Sequence, residues 1–482
     1  MDDGREQDQR VGLQEGAVGL LGDFVGAITD VAPTLDVALT LAAFVLVMGV
    51  AGPSSILMAG AAMLCVATGY ARLNRLEPNA AAGVQWLRRL LPALGFAMGL
   101  LVIFTITFIL VSNVALAGST VLSLFGSSLT NNALVVWAVG AAVVLVSVLI
   151  AVFGVRVQIR FQAVLVVIEY AIVLVCAIAI LVAHARGHLP HAPQPSLGWL
   201  SPSAAAKSDG GIAAGIVLGV FTLGGWENPI YLAEEQHDAR RDPGRAAYLG
   251  IIWGTLFVAF LMIAFQSAAP ASAIQKHGGN ILAYATGLVL PAPWPTLISI
   301  ALIISLVGGI QATASDGART AFGMARERIL PTVFGRVSPR YRTPSAAFVI
   351  IGLAAVVIAV LYAASSGVVT ILGDVTATTG LMYTIVYVSV ALTSIWRFRS
   401  SLLSSAREFV AGAVVPLAGS AVLMYAFVKT LTTSSAGVIV PTVVVLVLVI
   451  GTGLALQRWS QAPFFRERLT ESPEMPVSEI SV

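Results

Sequence analysis

Charge is what this sequence has least of. Only 11% of its 482 residues are Asp, Glu, Lys or Arg, against 57% hydrophobic, and the mean hydropathy is +0.90. A soluble domain carries about a quarter charged residues, so a water-exposed globule is excluded. Cysteine is scarcer still: Cys65 and Cys176 fall in separate apolar runs and read as small fillers, which excludes a disulfide scaffold. No Walker loop, G-x-S-x-G elbow or H-E-x-x-H occurs, so ATP-driven transport and membrane hydrolysis lack their machinery. Neither enzyme activity nor a cofactor is expected. His184, His188 and His191 share one Pro/Ser/Ala-rich loop without Cys or carboxylate, and a solvated loop explains them better than a metal site.

What is present in excess is long apolar runs. Twelve are long enough to cross a bilayer as helices: Ala17–Met48, Ser54–Leu73, Pro92–Phe125, Ala133–Phe153, Phe161–Ala183, Gly211–Ala233, Ala246–Ala268, Trp294–Met324, Ser345–Ala364, Val368–Trp396, Val410–Thr430 and Val438–Leu456. They are continuous rather than alternating, which excludes a β-barrel. The expected fold is therefore all-α integral membrane with 12 transmembrane helices, numbered here 1 to 12. The acidic, polar start "MDDGREQDQR" shows no signal peptide, and the tail "RERLTESPEMPVSEISV" reads as disordered. Trp86 and Trp459, near helix ends, read as interfacial anchors.

Basic residues test the topology independently. With the N-terminus inside, 23 of the 27 Lys and Arg fall on the cytoplasmic side, leaving Arg186, Lys207, Lys276 and Lys429 outside. That bias follows the positive-inside rule. It places both termini in the cytoplasm and the protein in the cell (inner) membrane. The net charge of +3 thus reflects orientation and contact with the lipid bilayer, and makes no case for nucleic acid.

Two runs are interrupted where interruption is costly. Helix 1 carries "AITDVAPTLDV", Ala27 to Val37, and helix 6 carries "GGWENP", Gly224 to Pro229. Gly and Pro weaken helices, and a carboxylate in hydrocarbon must be paired, protonated or wet. Either break alone is explained by a proline kink and close glycine packing. Together, five helices apart and each with an acid, they point to an inverted-repeat transporter that holds its substrate at the breaks. Opened helix ends free N–H groups for a carboxylate and carbonyls for an ammonium or cation.

Two segments carry a resemblance. "GGWENPIYLAEEQHDARRDPGRAAYLG" resembles the sixth helix and following loop of amino acid–polyamine–organocation superfamily permeases. "TASDGARTAFGMARERILPTVFGRVSPRYRTPSAAFVI", Thr313 to Ile350, resembles their eighth helix, loop and ninth-helix entry. These two segments cover about an eighth of the chain. Helix 1 departs from the glycine-rich break of many members, having "VAP" instead. The loop after helix 6 departs too, reading "DARRDPGRA".

The resemblance implies a LeuT-type 5+5 inverted repeat with two extra helices. It divides the chain into a cytoplasmic segment 1–16, a first repeat 17–183, an outer loop 184–210, a second repeat 211–397, helices 11–12 over 398–460, and a tail 461–482. It implies a secondary permease for amino acids or organic amines, working by symport or exchange. Val31, Ala32 and Pro33 would line the carboxylate end of the substrate. Phe221, as an aromatic lid, Gly224 and Gly225 would flank the amine end, and Glu227 matches the acid of the break.

Away from the ends of the spans, the acids are Asp30, Asp36, Glu169, Glu227, Asp316 and Asp374, with Arg319 the basic residue. Each is a functional candidate by default. Glu169 lies eight residues into the helix 5 run, where the resemblance implies an ionisable group in place of a sodium ion between helices 1 and 8. A hydrogen bond to a neighbouring helix is the structural alternative. Glu169, Asp30 and Ser315 are assigned to coupling, with protons as the expected ion and sodium as the alternative. Asp30 could instead meet a substrate ammonium. A substrate sensor of the same fold and, further off, a channel are the competing functions; the particular substrate and the oligomeric state stay open.

Overall fold

The computed structural model describes residues 12–126, 128–205, 211–363 and 368–466. Arg5, Arg10, Lys207, Arg468 and the polar tail, on which some of the expectations above rest, lie outside the described residues. Among the described residues every regular element is helical, apart from an isolated parallel bridge between Val18 and Gln236.

Nine helical stretches among the described residues are long and apolar enough to cross a membrane. The first, Leu20–Leu76, holds both of the first two runs, and two shorter apolar helices, Gly211–Thr222 and Ser345–Leu361, fall in the sixth and ninth. The chain is a multi-pass membrane protein. Burial sorts the helices into two groups. The most apolar parts of helix 3 (Pro92–Leu124) and helix 8 (Trp294–Arg326) are 72% buried, whereas helix 12 (Ala436–Trp459) is 28% buried. Helices 3 and 8, with Gly373–Arg397 of helix 10 at 78% buried, thus form the centre, while helix 12 faces lipid with Val440, Val444 and Val447 exposed.

With no hydrophobic drive between helices in lipid, close packing has to come from small residues. Helices 3 and 4 (Ala133–Ala151) show this. A Cβ on Gly118 would sit 1.8 Å from the Val136 carbonyl oxygen, and one on Gly140 equally close to that of Val114. Neither glycine can be replaced without parting the helices. At one end of the bundle the arginine-rich connections are tied together. Arg72 pairs with Glu408 at 2.8 Å, Arg88 with Glu327 at 2.9 Å, and Arg319 with Glu235 at 2.5 Å, the last pair fully buried.

Two boundaries differ from the hydropathy reading beyond ordinary fraying. Helix 5 runs Val155–Ala185, six residues earlier than expected, and helix 7 runs Asp242–Gln266. Hydropathy sees only the apolar core, while "VRVQIR" after Gly154 continues the same helix with polar side chains. Glu169 is therefore fourteen residues in, about 21 Å along the axis, at mid-helix rather than a third of the way. Trp86 is a second correction. It is buried, its ring packs edge-on against Tyr70 at 5.8 Å, and its indole N–H donates to the Glu77 carbonyl. It belongs to the core, whereas Trp459 is 74% exposed as an anchor should be.

Candidate functional site

Helix 1 is two helices, Leu20–Val31 and Pro33–Met48, joined by one residue. Ala32 takes φ 41° and ψ 61°, the left-handed region, which costs a non-glycine residue about 1–2 kcal/mol. Pro33 explains the place. Its ring disfavours α geometry in the residue before it, and its fixed φ suits the first position of the new helix. The freed groups are largely reclaimed: the Leu35 N–H donates to Ser305 Oγ at 3.3 Å, and the Asp36 N–H to the Ala32 carbonyl.

Helix 6 opens more widely. Its first part, Gly211–Thr222, ends in a turn through Glu227, and a short helix, Asn228–Tyr231, follows. Gly225 has φ 96°, a conformation that suits glycine. The Glu227 carboxylate holds this break in shape and ties it to helix 10. It accepts from the Gly225 N–H at 3.2 Å and from the Tyr387 hydroxyl at 2.9 and 3.0 Å. Asn228 then donates to Asp316 at 2.6 Å on helix 8.

The two breaks meet. A Cβ on Gly225 would lie 2.7 Å from both the backbone carbonyl carbon and the carboxyl carbon of Asp30. Asp30 Oδ1 accepts from Thr313 Oγ1 of helix 8 at 2.6 Å, and the Asp30 carboxyl also meets the Asp316 carboxyl of the same helix. Beside this crossing is a small cavity of about 20 Å³, room for roughly one water. Asp30, Asp36, Asn113, Phe221, Thr313 and Tyr383 are among the residues lining it, and among the described residues none that lines it is basic. Tyr383 also borders a second, smaller cavity, together with Glu227, Tyr231 and Asp316.

The residues singled out from sequence therefore fall into separate groups. Asp30, Phe221 and Gly224 line the central cavity. Gly225 abuts it through Asp30, whereas Val31, Ala32 and Pro33 shape the break without lining the cavity. Glu227 borders the second cavity. Ser315 is fully buried and takes a hydrogen bond from Arg319, so its hydroxyl is engaged in the buried Glu235–Arg319 pair. Glu169 faces the Thr34 N–H and the hydroxyls of Thr34 and Ser305, although its Oε1 closes no hydrogen bond of good geometry. A carboxylate there sits at the N-terminal end of the second half of helix 1, where the helix dipole favours negative charge. Gln162 and Gln158 of the same helix reach the Gly308 and Gln311 carbonyls of helix 8.

Asn113 was not anticipated. It is 1% exposed, its side-chain oxygen has no hydrogen-bond partner among the described residues, and it lines the cavity from helix 3. An amide inside the run "FILVSNVALAG" was the available signal.

Known proteins resemble this chain over different extents. The human Asc-type amino acid transporter 1 is 28% identical over 152 residues, 32% of this chain and 28% of its own length. The mouse large neutral amino acids transporter small subunit 2 is 28% identical over 151 residues, 30% of this chain and 28% of its own length. The glutamate/serine transporter AimA of Bacillus subtilis is 31% identical over 137 residues, 26% of this chain and 24% of its own length. The chain thus spans less than a third of the length of these relatives. Among solved structures, the manganese transporter of Eremococcus coleocola superposes with a TM-score of 0.60 at 13% identity, covering 95% of this chain and 99% of its own. That likeness establishes a shared fold alone. The sequence pattern of the amino acid permease family, by contrast, matches residues 22–459, nearly the whole membrane-spanning part. On that match the chain belongs to the amino acid permease family, within the amino acid–polyamine–organocation superfamily.

Proposed function

We propose that this protein is a secondary permease that carries a small amino acid or organic amine across the cell membrane by alternating access. The observation that carries the reading is the meeting of the two broken helices at Asp30 and Gly225, with a polar cavity beside them. Broken helices that meet inside a bundle are how such transporters present backbone groups to a ligand. Membership of the permease family and the likeness to a transporter fold support the same reading.

In this reading the chain crosses the membrane twelve times. Residues 17–183 and 211–397 form inverted repeats of LeuT type, with the loop 184–210 between them and helices 11 and 12 at 398–460 outside. Segments 1–16 and 461–482, and so both termini, are cytoplasmic, as the arginine bias supports. Asp30 and the backbone of Val31–Pro33 and Gly224–Gly225 hold the substrate, Phe221 covers it, and Glu227 keeps the helix 6 break open. Protons couple the cycle through Glu169 and Asp30, with Ser315 holding Arg319 in place and sodium as the alternative ion. Uptake of labelled amino acids by the purified protein in liposomes tests this. Saturable flux that collapses with the ion gradient is expected, while linear flux identifies a channel and binding without flux a sensor.

A further inference from the structure

The arginine-rich end of the bundle treats its charges in two ways. Arg72, Arg88, Arg89, Arg319 and Arg326 each meet a carboxylate at 2.9 Å or less. The loop after helix 6, "DARRDPGRA", holds its arginines loosely. Arg241 is exposed and makes no ion pair among the described residues. Arg245 is exposed too, with Asp242 no nearer than 3.8 Å. Helix 2 (Gly52–Leu76) brings a further arginine to the same place. Arg240 donates to the Arg75 carbonyl at 2.9 Å, and Arg75 faces the charges of Arg241 and Arg245. Two aspartates share the surface with these four. Asp238 is used by its own loop, accepting the Arg241 N–H at 3.2 Å, and Asp242 is the distant partner of Arg245. Asp23 lies behind Asp242 but is fully buried. The exposed patch therefore keeps an excess of positive charge.

Helix 7 supplies what adjoins that patch. Arg245, Leu249, Ile252 and Leu256 follow one another at four, three and four residues, which is one face of a helix. The three apolar side chains on it are all exposed. In a membrane such a face meets acyl chains. Arg245 and Leu256 are eleven residues apart, about 17 Å along the axis, close to the ~15 Å depth of one leaflet's hydrocarbon. An apolar stripe one leaflet deep that ends in guanidinium groups matches a phospholipid in outline, with chains along the stripe and phosphate at the arginines. The guanidinium fork suits phosphate oxygens. A choline headgroup would bring its own cation into the patch, so the excess of positive charge selects a headgroup with net negative charge.

We propose that Arg75, Arg240, Arg241 and Arg245 bind the phosphate of an anionic phospholipid whose acyl chains lie along the exposed face of helix 7.

Native mass spectrometry on the purified full chain, equilibrated with dioleoyl phosphatidylglycerol or dioleoyl phosphatidylcholine, separates the headgroup from the chains. Phosphatidylglycerol should bind at least about tenfold tighter. Arg241→Gln combined with Arg245→Gln should bring it within about threefold of phosphatidylcholine. Arg336→Gln combined with Arg340→Gln removes two exposed arginines of the loop after helix 8 and should change phosphatidylglycerol binding by less than about threefold. Unchanged melting curves show that the variants are folded; should the first pair fail to fold, Arg241→Gln alone is expected to cost about threefold or more. Equal binding of the two lipids by the unaltered protein overturns the proposal, as does an equal loss in both double variants. Displacement of phosphatidylglycerol by an excess of inorganic phosphate assigns the arginines to a soluble anion and overturns it as well.

Discussion

The breaks in helices 1 and 6 look alike in sequence and differ in how each treats its acid. Helix 6 gives up five residues of regular structure and fills the opening with its own side chain, the Glu227 carboxylate being satisfied by Gly225 and Tyr387. Helix 1 gives up one residue, Ala32, and sets the Asp30 carboxyl against Thr313 and the Asp316 carboxyl of helix 8 at the edge of the cavity. The difference separates two jobs. An acid whose oxygens are occupied by N–H and O–H donors of its own fold maintains a shape, whereas one set against a second carboxyl at a cavity is available to a cation or a proton.

The largest expected effect comes from closing the place where the breaks meet. Gly225→Leu adds a side chain into Asp30 and strains a backbone at φ 96°. Ligand affinity should fall by about a hundredfold or more. Val357→Leu, on an exposed face of helix 9 (Ser345–Ala363), should leave it unchanged. Calorimetry on both variants measures this. Near-normal affinity in a folded Gly225→Leu protein would move the site away from the crossing.

The next effect splits the two acids directly. Glu227→Leu leaves the Tyr387 hydroxyl and the Gly225 N–H without their acceptor, at about 1–3 kcal/mol for each buried group. It should lower the melting temperature clearly. Asp30→Asn relieves the meeting of two buried carboxyls, Asp30 and Asp316, so thermal stability should hold or rise while ligand affinity drops by about tenfold or more. Melting curves and calorimetry on the same two preparations decide it. If Asp30→Asn melts early while Glu227→Leu does not, the division of labour is reversed.

Much of this architecture was legible because lipid imposes long apolar runs, and because Pro33 and Gly224–Gly225 are costly inside them. The location of the breaks followed from those residues. Which way each acid faces did not. Helices 3, 5 and 10 are apolar nearly all round, so no amphipathic stripe fixes their rotation. Hence Asn113, Tyr383 and Tyr387 gave no sign of which side chains they would meet. Hydropathy also set the start of helix 5 six residues late, which put Glu169 too near one membrane face. The i, i+4 spacing of Ser315 and Arg319 was readable, but only packing could show that both belong to a buried pair with Glu235.

The smallest expected effect on affinity concerns Glu169, which does for the break of helix 1 from outside what Glu227 does for helix 6 from within. Its carboxylate faces the Thr34 N–H at the start of the second half of helix 1, with the Thr34 and Ser305 hydroxyls beside it. Two roles predict different outcomes for Glu169→Gln. An amide oxygen can still accept from Thr34, so a capping role loses only the attraction of a full charge to the helix dipole, about 0.3–1 kcal/mol. Stability would then fall slightly and the pH profile of uptake would keep its shape. A coupling role needs a group that takes up and releases a proton, which glutamine does not. Affinity at neutral pH should then stay within a few-fold, while the pH dependence of uptake flattens and a proton uncoupler loses its effect. The coupling outcome is expected, because Oε1 closes no hydrogen bond of good geometry and is thus left able to carry a proton. An unchanged pH profile and uncoupler response in Glu169→Gln would leave Glu169 as the cap of helix 1 and place coupling at Asp30.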